Sequence, residues 1–231
     1  MYLDYESQFE HVIIGANGHQ LLPMNTDFIF QIVILIFSIV VHEVAHGYAA
    51  YLLGDSTAKY QGRLTLNPIK HLDFFGSIFL PLLLFVSGSG FLIGWAKPVP
   101  YNPFNLRNQR WGEAIVAFAG PLSNIAIALV FGLFIRIGFG TDLIQNLEIL
   151  KVTSFIVFIN LLLAIFNLVP IPPLDGSKIL FSIFKLNTSP VRDFLERFGI
   201  ILVLFFVFFL WSTVAPIISK VFMLITGIAL F

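Results

Sequence analysis

Cysteine is absent from the 231-residue chain, so it can form no disulfide and offers no thiolate to a metal. Any metal site must therefore draw on histidine, aspartate and glutamate. Charge is scarce as well: 11% of the residues are Asp, Glu, Lys or Arg, against about a quarter in a soluble globular domain. That is too little polar sequence for a separate soluble domain of any size. The formal net charge is zero, which argues against a nucleic-acid partner. Lysine and arginine are missing from the first two dozen residues, which are polar and acidic and do not read as a cleavable signal peptide. Insertion into a membrane is expected to rely on internal helices.

What is abundant is apolar. Hydrophobic residues make up 58% of the chain, which predicts an all-α polytopic membrane protein with the lipid bilayer as its surroundings. A spanning helix needs roughly 20 apolar residues. Residues 27–53, 112–137, 152–169 and 198–214 meet or approach that length. A fifth apolar run, 74–95, is interrupted by Ser87, Gly88, Ser89 and Gly90, which disfavour a continuous helix. It is expected to enter and return on one side as a re-entrant element followed by a short membrane-embedded extended segment, giving four to six membrane helices in all. Such backbone survives at membrane depth only where protein or a water-filled cavity satisfies it.

Charge placement agrees. Three segments are basic: Lys59, Arg63 and Lys70; Lys97, Arg107 and Arg110; and Lys178, Lys185, Arg192 and Arg197. The positive-inside rule assigns all three to the cytoplasm, and a full fifth crossing would put two of them on opposite faces. The expected organisation is a polar, non-cytoplasmic segment over 1–26, a membrane-embedded core over 27–214 and a C-terminal apolar helix over 215–231. Lys97-Pro98-Val99-Pro100-Tyr101-Asn102-Pro103 reads as a rigid extended loop, since each proline removes a donor and biases its predecessor away from the helix.

Inside the first apolar stretch stands His42-Glu43-Val44-Ala45-His46. Two histidines four residues apart share one face of a helix and can bind one metal ion, and the glutamate beside them can take a proton from water. Ionisable residues at bilayer depth are expensive and mark function by default. A catalytic zinc site usually has three protein ligands and an open position. The best candidate for the third is Asp175, which follows Pro170, Pro172 and Pro173 where the third spanning helix breaks off near the membrane surface. Asp-Gly is also a common turn pair, and Asp175 can instead cap a helix beginning near Ser177. From His46 to Leu53 is roughly 10 Å of helix, so both halves of the site lie at similar depth, buried but reachable by water from the cytoplasm.

These residues strongly resemble the site-2 protease family of intramembrane zinc metalloproteases, in its small branch without accessory PDZ or CBS modules. The resemblance rests on three motifs in order: His42 to His46, then Ala119-Gly120-Pro121-Leu122-Ser123-Asn124, then Asn167 through Asp175-Gly176. It extends to 62–68 and 94–100. It implies one zinc ion per chain held by His42, His46 and Asp175, with Glu43 as general base and then acid. Asn167 matches the family's asparagine that binds substrate or the oxyanion, a role an amide donor fills by stabilising developing charge. Residues 90–98, with Gly94 and Trp95, match a segment that offers its edge to an unwound substrate helix by strand addition. The implied enzyme is a zinc metalloendopeptidase cutting transmembrane proteins or peptides within or next to their spans, in the plasma membrane of a prokaryote, with its active site towards the cytoplasm. Its work would be regulated intramembrane proteolysis or clearance of signal-peptide remnants.

Blander readings stand beside these. Asn124 and Asn160 are expected either to contact substrate or to bond helices together. Gly120-Pro121 reads as a close helix contact, and His71 as a solvated loop residue. His11 and His19 fall on the opposite face from the site. A metal carrier would show further His or acidic residues along a path through the bilayer, and none is found outside the proposed site.

Overall fold

The computed structural model describes residues 26–73, 97–138, 146–186 and 189–229, with positions 76, 79, 83, 141 and 144. All regular structure among them is helical. In chain order the helices are α1 (Thr26–Leu52), the short α2 (Thr57–Tyr60), α3 (Gly112–Gly138), α4 (Leu147–Asn167), α5 (Asp175–Ile183), α6 (Pro190–Phe205) and α7 (Trp211–Thr226). A π-helical stretch, Phe206–Leu210, joins α6 to α7. Four helical runs among the described residues are long and apolar enough to cross a membrane: Phe30–Leu52, Gly112–Gly138, Leu147–Asn167 and Pro190–Thr226. The protein is an integral membrane protein of the all-α class expected from its composition.

Two boundaries differ from the sequence reading. Helix α4 begins at Leu147 rather than near 152, because the Asn146 side chain accepts from the backbone N–H groups of Glu148 and Ile149. Lys151 pairs with Glu148 on the exposed side of that first turn. At the other end, no break separates 198–214 from 215–231. The helical run continues through Pro216 inside α7 and stops at Gly227, whose φ of 80° is open to glycine. A proline within a spanning helix is tolerated where local adjustment and neighbours satisfy the freed carbonyl, and a π-helical stretch lies just ahead of this one. The expected N-terminal segment 1–26 and the re-entrant element over 74–95 fall on residues that, but for Thr26 and isolated positions, lie outside the described ones.

Helix α3 is the centre of the bundle and packs against α1, α4, α5 and α7. Lipid tails are as apolar as leucine, so association relies on close packing and interhelical hydrogen bonds rather than on burial from water. The buried face of α3 is accordingly built of small residues, Ala117, Gly120, Asn124, Ala128 and Gly132 among them, at helical spacing. A Cβ at Gly132 would collide with Ile225 of α7. Ala128 and Ile135 of α3 pack with Leu150, Val157 and Leu161 of α4 and with Ile218 and Phe222 of α7. Arg136 closes the far end by donating to the Leu224 carbonyl.

The loops at the other end are tied to one another. The Lys97 N–H donates to the His71 carbonyl at 2.8 Å, and the Arg107 N–H to the Leu53 carbonyl at 2.8 Å. The buried Arg63 donates through Nη2 to the carbonyls of Lys97 (2.8 Å) and Pro98 (3.2 Å). Residues on both sides of 74–96 therefore stand at the same end of the bundle. His71, expected to be solvated, is buried there, with Nε2 2.8 Å from the Thr65 carbonyl. The loop folds over its own histidine because that ring and its backbone carbonyl join two segments.

Asp55 organises the turn after α1. Its carboxylate is fully buried and accepts from Thr57 Oγ1 (2.6 Å), Asn105 Nδ2 (2.8 Å) and the Asn102 N–H (2.9 Å). Burial works against its charge, but these hydrogen bonds outweigh it and hold the carboxyl below its ordinary range. A depressed folded-state pKa contributes stability above the unfolded value and loses it as pH falls through the folded one. Asp55→Asn should therefore lower the midpoint of thermal unfolding in detergent near neutral pH. The gap to wild type should shrink below about pH 4, the unfolded aspartate range. An equal gap at all pH values would show that the charge is not what stabilises this turn.

Candidate metal centre

His42 and His46 lie on the inward face of α1, with ring centroids 4.6 Å apart. Asp175 is the first residue of α5. Leu174 is the N-cap and no side chain caps the helix, so Asp175 is not a capping residue and its carboxylate is free to face α1. Its Oδ2 lies 3.1 Å from Nε2 of His42 and 3.1 Å from Nε2 of His46. All three residues are buried, and their candidate donor atoms lie within 4.8 Å of one another.

The tautomers follow from the partners. Asn124 donates through Nδ2 to Asn160 Oδ1 (2.7 Å) and to the Ser38 carbonyl (3.3 Å), which leaves its Oδ1 to accept from Nδ1 of His42. Asn160 in turn donates to Ser38 Oγ (3.0 Å) and to the Ile156 carbonyl (2.9 Å). Nδ1 of His46 is 2.7 Å from the Val116 carbonyl, which can only accept. When neutral, both histidines therefore carry their proton on Nδ1 and turn the Nε2 lone pair towards a carboxylate oxygen. Such a convergence of two imidazole nitrogens and a carboxylate oxygen in a buried site is held together by a cation, either a shared proton or a metal ion.

Gly120 of α3 lies directly against both rings. A Cβ built at Gly120 would fall 2.6 Å from His42 Nε2, in contact with His46 Nε2 as well. Glycine at this position of α3 is what lets both nitrogens come this close to the helix, in a place that a side chain would fill. A His-His-Asp donor set, buried and with its outer nitrogens anchored, suits zinc in a three-ligand site.

Glu43 is half-buried beside the cluster, and its Oε2 accepts from the Val99 N–H at 2.8 Å. The proline-rich loop thus lies against α1. Gly47 permits the approach, since a Cβ there would stand 2.6 Å from Leu64 Cδ2 and 2.8 Å from Val99 Cγ1. The N–H and carbonyl of Lys97 and the carbonyl of Pro98 are already engaged within the protein. The rest of the expected substrate edge, with Gly94 and Trp95, lies outside the described residues.

Asn124 and Asn160 are wholly buried, with both amide donors used, and they join α3 and α4 to α1 behind His42. The structure brings them to His42 rather than to an exposed surface. Asn167 ends α4, and its amide donates to the Leu163 carbonyl at 2.9 Å, one turn back in its own helix. Lys178 was not singled out in the sequence; its Nζ lies 3.7 Å from Asp175 Oδ1. Its signal was the three-residue spacing from Asp175, hidden while the helix was taken to begin near Ser177. The contact of Val99 with Glu43 had no sequence signal.

Asn124→Ala should leave His42 without its outer partner and Asn160 without a donor. Zinc affinity, measured by competition with a chromophoric chelator, should fall about 10- to 100-fold. An unchanged affinity would mean that the network only joins helices.

The Peptidase family M50 model matches residues 30–149 and 135–210 of the chain. The chain is 39% identical over 179 residues to "Putative zinc metalloprotease YwhC" of Bacillus subtilis, covering 76% of this chain and 78% of that protein. It is 30% identical over 193 residues to "Putative zinc metalloprotease Rip2" of Mycobacterium tuberculosis strain Erdman, covering 81% and 72%. A shorter match, 45% identical over 65 residues, covers 28% of this chain and 31% of "Putative zinc metalloprotease MJ0611" of Methanocaldococcus jannaschii. No solved structure matches the chain.

Proposed function

The chain belongs to Peptidase family M50, the site-2 protease family, and from that membership and its buried His-His-Asp centre we propose that it cleaves membrane proteins within or next to their spanning segments. It is a zinc metalloprotease embedded in the membrane; the location of the scissile bond and the residue roles that follow are our reading. The observation that carries it is the convergence of His42, His46 and Asp175 inside a helix bundle, with Glu43 alongside.

His42 and His46 through Nε2 and Asp175 through Oδ2 would hold the zinc ion. Bound there, zinc supplies a Lewis acid for the scissile carbonyl and brings the acidity of water towards neutrality. Glu43 accepts the proton of the attacking water and passes it to the leaving amine. The Val99 N–H holds one of its oxygens, leaving the other for proton transfer. Asn124 and the Val116 carbonyl keep both imidazole rings turned to the centre. Asn167 supplies an amide for the oxyanion once a substrate displaces its bond to Leu163.

A helical substrate shields its own carbonyls, so it must unwind locally before the bond can be reached. The gathering of the three basic segments at the end of the bundle that carries the site supports a cytoplasm-facing active site by the positive-inside rule, in the plasma membrane of a prokaryote.

The test is cleavage of a single-span reporter by the purified protein in detergent. A reporter with glycine or proline inside its span should be cut at or beside the span, faster than one with an all-leucine span. A zinc chelator should stop cleavage and added zinc restore it. Cleavage of soluble peptides alone, with the reporter left intact, would overturn the intramembrane reading.

A further inference from the structure

The two oxygens of Asp175 face different groups. Oδ2 is turned to both histidine nitrogens, while Oδ1 is paired with the Lys178 ammonium at 3.7 Å. Lys178 lies one turn along α5 from Asp175. A free lysine extends its ammonium into water. This one instead lies over Tyr101, with Nζ 5.5 Å from the ring centroid. The proline-rich loop, through Tyr101, thus fixes the cation from one side and α5 fixes it from the other.

We propose that Lys178 is a positioning residue of the metal centre, whose ammonium occupies Oδ1 of Asp175 so that the carboxylate offers the ion Oδ2 alone. The proposal rests on reading His42, His46 and Asp175 as metal ligands. A carboxylate with both oxygens free can bind a cation through both. A catalytic zinc site needs three protein donors and an open position, which a second carboxylate oxygen would fill. Lys178 keeps that position free for water and substrate, and Tyr101 keeps Lys178 in place. An ordinary i,i+3 pair on a helix surface would steady α5 slightly and leave the metal's surroundings untouched.

Cobalt in place of zinc separates the two roles, because its visible bands are intense when four-coordinate and weaken as the coordination number rises. The full chain in detergent is loaded with Co²⁺ as wild type, Lys178→Met, Lys178→Arg and Tyr101→Ala. Wild type should show the intense bands. Lys178→Met should weaken them several-fold, with one cobalt still bound per chain. Lys178→Arg should keep them, since a guanidinium can pair with the same oxygen, and Tyr101→Ala, which removes the ring beneath the ammonium, should fall between. Unchanged bands in Lys178→Met overturn the proposal, and if that variant fails to fold, unchanged bands in Tyr101→Ala do so. A wild type that binds no cobalt overturns the metal-site reading itself, which keeps the two failures apart.

Discussion

Gly120→Ala is expected to abolish zinc binding while leaving the helix bundle folded. Alanine is the better helix former by about 1 kcal/mol, so α3 itself gains rather than loses from the change. The damage is local. The added methyl would stand 2.6 Å from His42 Nε2 and touch His46 Nε2, in the space between the two candidate ligand atoms. Neither ring can swing aside cheaply, since Nδ1 of one is held by Asn124 and Nδ1 of the other by the Val116 carbonyl. Zinc affinity should fall by more than about 100-fold, beyond the range for losing an outer partner of a ligand. Reporter cleavage should fall with it, and thermal unfolding of the metal-free protein should change little. Full zinc content in the purified variant would mean that the metal does not sit against Gly120.

Glu43→Gln should produce the complementary result, zinc retained and cleavage lost. The glutamine carbonyl can still accept from the Val99 N–H, so the proline-rich loop keeps its anchor on α1. What disappears is the group that takes and returns a proton, a loss of about 10²- to 10⁴-fold in turnover. The two measurements are zinc per chain and the single-turnover rate on the membrane reporter. Loss of zinc together with activity would make Glu43 part of the site's architecture rather than its base. Retention of both would remove it from the mechanism.

Much of the candidate site was legible before any coordinates. The spacing of His42 and His46 is a helical repeat within one element, so it needs no knowledge of the fold. Asp175 could be picked out because three nearby prolines break the helix and leave a carboxylate at membrane depth. Its alternative, a helix cap, was settled only by the start of α5 at Asp175 itself. That shift of two residues also brought Lys178 onto the face that carries Asp175. The roles of Asn124 and Asn160 were open between substrate contact and helix bonding, because a buried amide in a list of residues does not say which neighbour it meets. His71 was misjudged for the same reason, and the C-terminal helix expected over 215–231 is continuous with the stretch before it.

The sequence by itself determined that the chain lives in a membrane, that it is helical, and which side chains can bind zinc. Each of these depends on composition or on spacing within one segment. Only the tertiary structure decided which nitrogen of each histidine faces the centre and what holds it there. His42 meets Asn124 from 82 positions away and Asp175 from 133. It also decided that a glycine on α3 lets both rings lie against that helix, and that a lysine lying over a tyrosine ring stands at the outer oxygen of Asp175. Lipid supplies no drive for helices to associate, so the small residues of α3 and the buried amides select which faces meet. That selection brings distant residues within hydrogen-bonding range, and no local pattern encodes it.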